Sequence, residues 1–69
     1  MKISVFGLGY VGSVSAACLA CMGHEVIGVD VNPTKVEMIN AGQSPAIEKD
    51  MDRLTMEGVR AGRLRAGIG

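Results

Sequence analysis

An α/β fold built on a parallel sheet is what this sequence predicts, and three observations carry that reading. Short apolar runs open the chain at Lys2 to Phe6 and recur at Glu25 to Asp30, a stretch of helical periodicity lies between them, and the first run leads into glycines at Gly7, Gly9 and Gly12. Strand, helix and strand in that order make a right-handed unit whose two strands run parallel. The chain is short for such a fold. It has 69 residues, where a doubly wound domain takes about twice that length. The expected architecture is therefore an incomplete Rossmann-like, doubly wound parallel sheet containing only its β-α-β-α-α-β start.

The first strand and the turn after it organise the rest. Ten glycines in so short a chain make a bare G-x-G-x-x-G weak, so its setting has to carry the assignment. Gly7 lets the backbone leave the strand sharply, Gly9 removes a side chain where a pyrophosphate approaches, and Gly12 lets the next helix pack close to the strand. A helix expected over Tyr10 to Met22 aims its free N–H groups and positive dipole end at the same spot, which makes an anion site. Gly23 and His24 stop that helix, with His24 a solvated turn residue. The second strand then ends in Asp30, whose carboxylate falls at the carboxyl edge of the sheet beside the turn, within reach of a ribose. An acid there accepts hydrogen bonds from ribose hydroxyls and repels a 2′-phosphate, so NAD rather than NADP is the implied cofactor. The alternative is a glycine-rich turn of another α/β protein in which Asp30 merely caps the following helix.

Within the first helix, Val11, Val14, Ser15, Cys18, Leu19 and Met22 recur at helical spacing, an apolar stripe expected to lie on the sheet. Cys18 and Cys21 are read as small buried thiols. A redox pair belongs at a helix N-terminus, and a structural zinc site needs two more ligands than this spacing provides. Further along, Asn32 and Pro33 are a cap and a first helical residue. They start a helix that runs to Ala41, stops at Gly42 and buries Val36 and Ile39. Lys35 in its first turn is unfavourable to the helix dipole, and a cofactor ribose or phosphate near Asp30 competes with plain solvent as the explanation. Gln43 to Glu48 is a polar loop. A third helix from about Asp50 to Ala61 follows, marked inside by Met51, Leu54 and Val59. Gly62 closes it, and Leu64, Ala66 and Ile68 alternate as a third strand.

Composition excludes other classes. Formal charge is zero and the basic residues Arg60, Arg63 and Arg65 are a solvated face, so a nucleic-acid partner is not expected. Lys2 and the apolar run ending at Cys21 mimic a lipoprotein signal only superficially, since such a signal needs neither these glycines nor a matched strand and acid. No apolar run reaches the length of a membrane span. The expected location is the cytoplasm, with no membrane partner.

Phe6-Gly-Leu-Gly-Tyr-Val-Gly12, Gly23-His-Glu-Val-Ile-Gly-Val-Asp30, Lys35, Gly42-Gln-Ser-Pro45 and Glu48 together resemble the N-terminus of the nucleotide-sugar dehydrogenases, the UDP-glucose/GDP-mannose dehydrogenase family. The run through Ser15 and Ala16-Ala-Cys-Leu-Ala20 is similar to its GDP-mannose branch, which serves alginate biosynthesis, more than to its UDP-glucose branch. The resemblance implies oxidation of the sugar's primary alcohol to a carboxylate in two NAD-dependent steps through a cysteine adduct. It places Tyr10 and Val11 at the cofactor beside Gly7, Gly9 and Gly12, and puts Asp30 and Lys35 on the adenosine ribose. A nucleotide sugar is the implied partner, and a full-length enzyme is expected to be a homo-oligomer. Two departures stand out. Lys49-Asp50 replaces a Pro-Gly common in relatives, and Gly67-Ile-Gly69 replaces a threonine-rich strand end. No residue matches the family's catalytic cysteine or lysine, so residues 1–69 are expected to be the N-terminal part of a dinucleotide-binding domain without catalytic or sugar-binding regions. A different NAD-dependent dehydrogenase and a non-catalytic binding fragment remain as rival readings.

Overall fold

The computed structural model describes residues 1–69. Three strands, β1 (Lys2–Phe6), β2 (Glu25–Asp30) and β3 (Leu64–Ile68), form a parallel sheet in the order β1-β2-β3, joined through helices α1 (Tyr10–Cys21), α2 (Pro33–Asn40) and α3 (Met51–Arg60). Parallel register sets Val5 beside Gly28, Phe6 beside Val29 and Asp30 beside Ile68, so the ends of β1 and β2 lie together at one edge. Side chains alternate across a strand. Ile3, Val5, Val26, Leu64 and Ala66 consequently share one face, where they pack with Leu8, Ala16, Leu19, Ala20, Ile39 and Val59 into a single core. All three helices contribute to that core, which puts them on one side of the sheet. Phe6, 79% exposed, and Val31, 79% exposed, lie outside it. The architecture is thus the incomplete Rossmann-like start that the sequence predicts, with one helical layer.

Helix boundaries follow their local chemistry. Asn32 caps α2, its Oδ1 accepting the Thr34 N–H at 2.9 Å with Pro33 next in line, and Ile39 is fully buried. In front of α3, Asp50 sits at φ +67°. That left-handed conformation costs an ordinary residue roughly 1–2 kcal/mol, and aspartate is among the few that tolerate it. The Asp52 carboxylate braces the loop by accepting the Ser44 N–H at 2.8 Å.

The packing faces differ from expectation in three places. On α1 the buried residues are Ser13, Ala16, Ala17 and Ala20, while Val11, Cys18 and Met22 are exposed and Val14, Ser15 and Leu19 half-buried. Both thiols, Cys18 and Cys21, are free and exposed rather than buried. The cause is the closeness of the helix: a Cβ on Gly12 would overlap the carbonyl oxygen of Gly7, so only the row of smallest side chains can lie against the sheet. On α3 the inward row is Met51, Thr55 and Gly58, with Leu54 and Val59 half-buried, because Gly58 admits Ala20 and Leu64 within 3.1 Å of where its Cβ would stand. Ile68 alternates with Leu64 and Ala66 as predicted but is 61% exposed, lying beyond the reach of the helical layer.

Gly28 is the point where β2 yields to the turn, since a Cβ there would come within 2.6 Å of Leu8 Cδ2. Gly28→Ala is expected to lower stability by about 1–3 kcal/mol through overpacking, whereas Gly67→Ala, which meets nothing within 4 Å, should not. Urea midpoints of the two variants measure this, and equal midpoints would refute the packing argument.

Candidate dinucleotide-binding site

The turn after β1 is held by its second residue. Gly7, at φ +94°, extends the sheet by one bond, donating its N–H to Val29 O at 2.7 Å. Leu8 then drops its side chain into the core, fully buried beside Gly28. Its N–H donates to Asp30 Oδ2 at 2.7 Å, and its carbonyl accepts the Ser13 hydroxyl at 2.8 Å. Side chain, donor and acceptor of this one residue are therefore all fixed. Gly9 serves as the extended N-cap of α1, and the first helical bond runs from the Ser13 N–H to Gly9 O at 2.9 Å. The N–H groups of Gly9, Tyr10, Val11 and Gly12 meet no acceptor within the chain. Around Gly9 there is open space, with nothing within 4 Å of a built Cβ. Four outward donors at a dipole's positive end make a cradle for a phosphate group.

Asp30 closes the other side. Besides the Leu8 N–H it accepts the Asn32 N–H on Oδ1 at 2.8 Å, so its carboxylate bridges the glycine turn and the start of α2. An ionised carboxylate offers about four acceptor positions, which leaves capacity for a ligand hydroxyl. The Leu8 N–H, then the Asn32 N–H, hold its pKa below the ordinary aspartate value, opposed by partial desolvation and aided by the Lys35 charge and the Val31 N–H. Lys35 acts at a distance. The ion pairs of the chain are those of Arg53 with Asp50 and Glu57. Next to Asp30 lies a cleft of about 300 Å³, lined by Phe6, Gly7, Val29, Asp30, Val31 and Gly69. Its apolar walls suit a flat base, and its volume sits at the small end of ligand clefts. A larger hollow of about 430 Å³, bordered by Lys2, Glu25, Arg63 and Arg65, includes no residue of the glycine turn.

Of the residues singled out by sequence, Gly7, Gly9, Gly12 and Asp30 converge on the turn. Tyr10 and Val11 open α1 beside them, 55% and 75% exposed, and Lys35 lies close enough to influence Asp30. Three residues that fix the geometry were not recognised as such: Leu8, Ser13 and Asn32, the last read only as a cap. A serine directly after the last glycine of the turn, in a mostly apolar helix start, was the available signal for Ser13.

Acidification tests the Asp30 bridge. Because the folded pKa is lowered, the carboxylate's contribution to stability is fully present above the ordinary aspartate range and is lost as pH falls through the lower folded value, below about pH 4. A carboxyl-carbon NMR titration is expected to place the Asp30 midpoint below that of ordinary aspartate, with the Leu8 amide shift following the same curve. A Leu8 amide indifferent to that titration would contradict the bridge.

Comparison with known proteins agrees with this geometry. The family described as "UDP-glucose/GDP-mannose dehydrogenase family, NAD binding domain" matches residues 1–68. GDP-mannose 6-dehydrogenase of Azotobacter vinelandii is 57% identical over 65 residues, covering 94% of this chain and 15% of that protein. UDP-glucose 6-dehydrogenase of Rhizobium meliloti is 44% identical over 64 residues, covering 93% and 15%. Among solved structures, a UDP-glucose dehydrogenase from Pyrobaculum islandicum superposes with a TM-score of 0.89 at 41% identity, over 96% of this chain and 15% of that one. The chain thus spans about 15% of the length of the curated relatives it matches. A cradle of free N–H donors and an acid at the end of β2 fit the cofactor named in that family description, and by this match the chain belongs to the UDP-glucose/GDP-mannose dehydrogenase family, in the domain that binds NAD.

Proposed function

We propose that residues 1–69 are the N-terminal part of the NAD-binding domain of a nucleotide-sugar dehydrogenase whose catalytic and sugar-binding regions lie elsewhere. The observation that carries this is the meeting of four free N–H donors at Gly9 to Gly12 with the Asp30 carboxylate at one sheet edge. In this reading the free N–H groups of Gly9, Tyr10, Val11 and Gly12 cradle the pyrophosphate, and Gly7, whose own N–H is paired with Val29 O, turns the backbone toward it. Asp30 accepts from the adenosine ribose hydroxyls, its negative charge disfavours a 2′-phosphate, and Lys35 supports the same ribose. NAD, when bound, accepts hydride from the alcohol carbon. Every contribution of this chain is to bind and orient that cofactor.

The substrate proposed is GDP-mannose, oxidised at its primary alcohol to GDP-mannuronate, as in alginate biosynthesis. Higher identity to GDP-mannose 6-dehydrogenases than to the Rhizobium UDP-glucose enzyme supports that choice. A cytoplasmic, homo-oligomeric full-length enzyme completes the proposal, and two free thiols accord with a reducing compartment. No catalytic residue is assigned here. Partial burial and the nearby Glu57 carboxylate push the Cys21 thiol up, which is the wrong direction for a nucleophile.

Titration with NAD and with NADP, followed by amide chemical shifts, tests the cofactor reading. NAD alone is expected to move Gly9, Tyr10 and Val11, and Asp30→Asn to narrow the preference over NADP. A folded chain whose turn amides ignore NAD would sink the assignment. Mixed with NAD and GDP-mannose, the chain alone should form no NADH, and measurable NADH formation would place catalysis within it after all.

A further inference from the structure

We infer that Ser13 is a positioning residue for the cofactor, because its hydroxyl occupies the Leu8 carbonyl and thereby keeps the Gly12 N–H free for the ligand. The inference rests on the cofactor reading above. For the Gly12 N–H to be paired within α1, the helix would have to start one residue earlier, with the Leu8 carbonyl as its acceptor. Here the Leu8 carbonyl instead accepts the fully buried Ser13 hydroxyl at 2.8 Å, and helical bonding begins one residue later, from the Ser13 N–H to Gly9 O at 2.9 Å. Ser13 thus occupies the acceptor that an earlier start of α1 would use. It also sets a direction. Across the trans peptide joining Leu8 to Gly9, C=O and N–H point oppositely, so anchoring the carbonyl toward the buried hydroxyl turns the Gly9 N–H away from that hydroxyl, where it meets no acceptor of the chain.

Two Leu8 groups are therefore held by side chains from different elements, the N–H by Asp30 and the carbonyl by Ser13. Asp30 answers to the ligand directly. Ser13, buried and touching no ligand, can act only through the backbone. Without the hydroxyl the Leu8 carbonyl must find another partner: its peptide rotates and turns the Gly9 N–H with it, or α1 extends backward and Gly12 donates to it. Either one removes or misaims a phosphate donor.

The experiment compares the 69-residue chain with Ser13→Ala and with Ser44→Ala, which deletes another buried hydroxyl, one that accepts the Ala46 N–H at 3.1 Å away from the turn. NAD affinity is read by titration, and exchange of the Gly12 amide is read in the absence of NAD. Ser13→Ala is expected to weaken NAD binding about tenfold, while Ser44→Ala leaves it unchanged. The Gly12 amide of the wild-type chain should exchange as an unbonded group. Equal NAD affinity of wild type and Ser13→Ala overturns the inference, as does an equal loss in Ser44→Ala. Protection of the wild-type Gly12 amide comparable to that of Ser13 overturns it as well, whether or not the variant folds. A folded wild-type chain that ignores NAD but leaves its Gly12 amide unprotected would instead remove the cofactor reading, and the ligand role of Ser13 with it.

Discussion

The burial of Leu8 against Gly28 is the constraint on which the rest of this structure depends. A glycine turn alone would be flexible, since glycine loses more conformational freedom on folding than any other residue. Placing a large apolar side chain between Gly7 and Gly9 converts the turn into an extension of the core. Fully burying a leucine contributes about 1.5–3 kcal/mol, comparable with the backbone entropy of one or two ordered residues. Core packing thereby offsets the cost of holding a ligand loop open. The polar contacts then choose among orientations rather than supply the driving force.

The same economy of space explains α1. Its approach to β1 leaves no room for a side chain at Gly12, and small residues at Ser13, Ala16, Ala17 and Ala20 continue that close contact along the helix. Close packing brings the positive end of α1 over the end of the strand, where unpaired N–H groups can act on a bound anion. Larger side chains on the inner row would strengthen burial but lift the helix and separate those donors from Asp30. Binding geometry and core size are thus opposed, and this helix favours geometry.

Much of this was legible in the sequence, for physical reasons that differ by element. Strand ends, the span of α1 and the start of α2 were readable because glycine, proline and asparagine act on the backbone locally. The inner face of α1 was not. Two rows of that helix have apolar spacing, and hydrophobicity favours the row of Val11, Cys18 and Met22, whereas steric closeness, a tertiary fact, selects the smaller one. The placement of Asp30 at the end of β2, beside the glycine turn, was readable from the order of strand, glycines, helix and strand. Its grip on the Leu8 N–H could not be read, because it depends on how far the turn folds back toward β2. Asp50 in front of α3 was not readable either: an aspartate there takes the left-handed conformation that a glycine adopts without strain.

The two edges of the sheet are treated differently, and the site lies next to the unguarded one. On β3, Asn40 donates Nδ2–H to Ala66 O at 3.1 Å and accepts the Ala66 N–H on Oδ1 at 2.9 Å, so a side-chain amide satisfies the strand as a neighbour would. β1 pairs only with β2, and no side-chain hydrogen bond reaches its outer edge. An unguarded edge is open to further pairing. In doubly wound sheets the ligand crevice forms where neighbouring connections leave a strand in opposite directions. Here the connections that are present all lie on one face, and the cleft beside Phe6, Val29 and Asp30 is correspondingly one-walled. The exposed Phe6 and Val31 at its rim are the apolar surface that an opposing wall would cover. The N–H donors and the carboxylate, by contrast, are already fixed by Leu8, Ser13 and Asn32, so the geometry on which the proposed phosphate and ribose contacts rest does not depend on that wall.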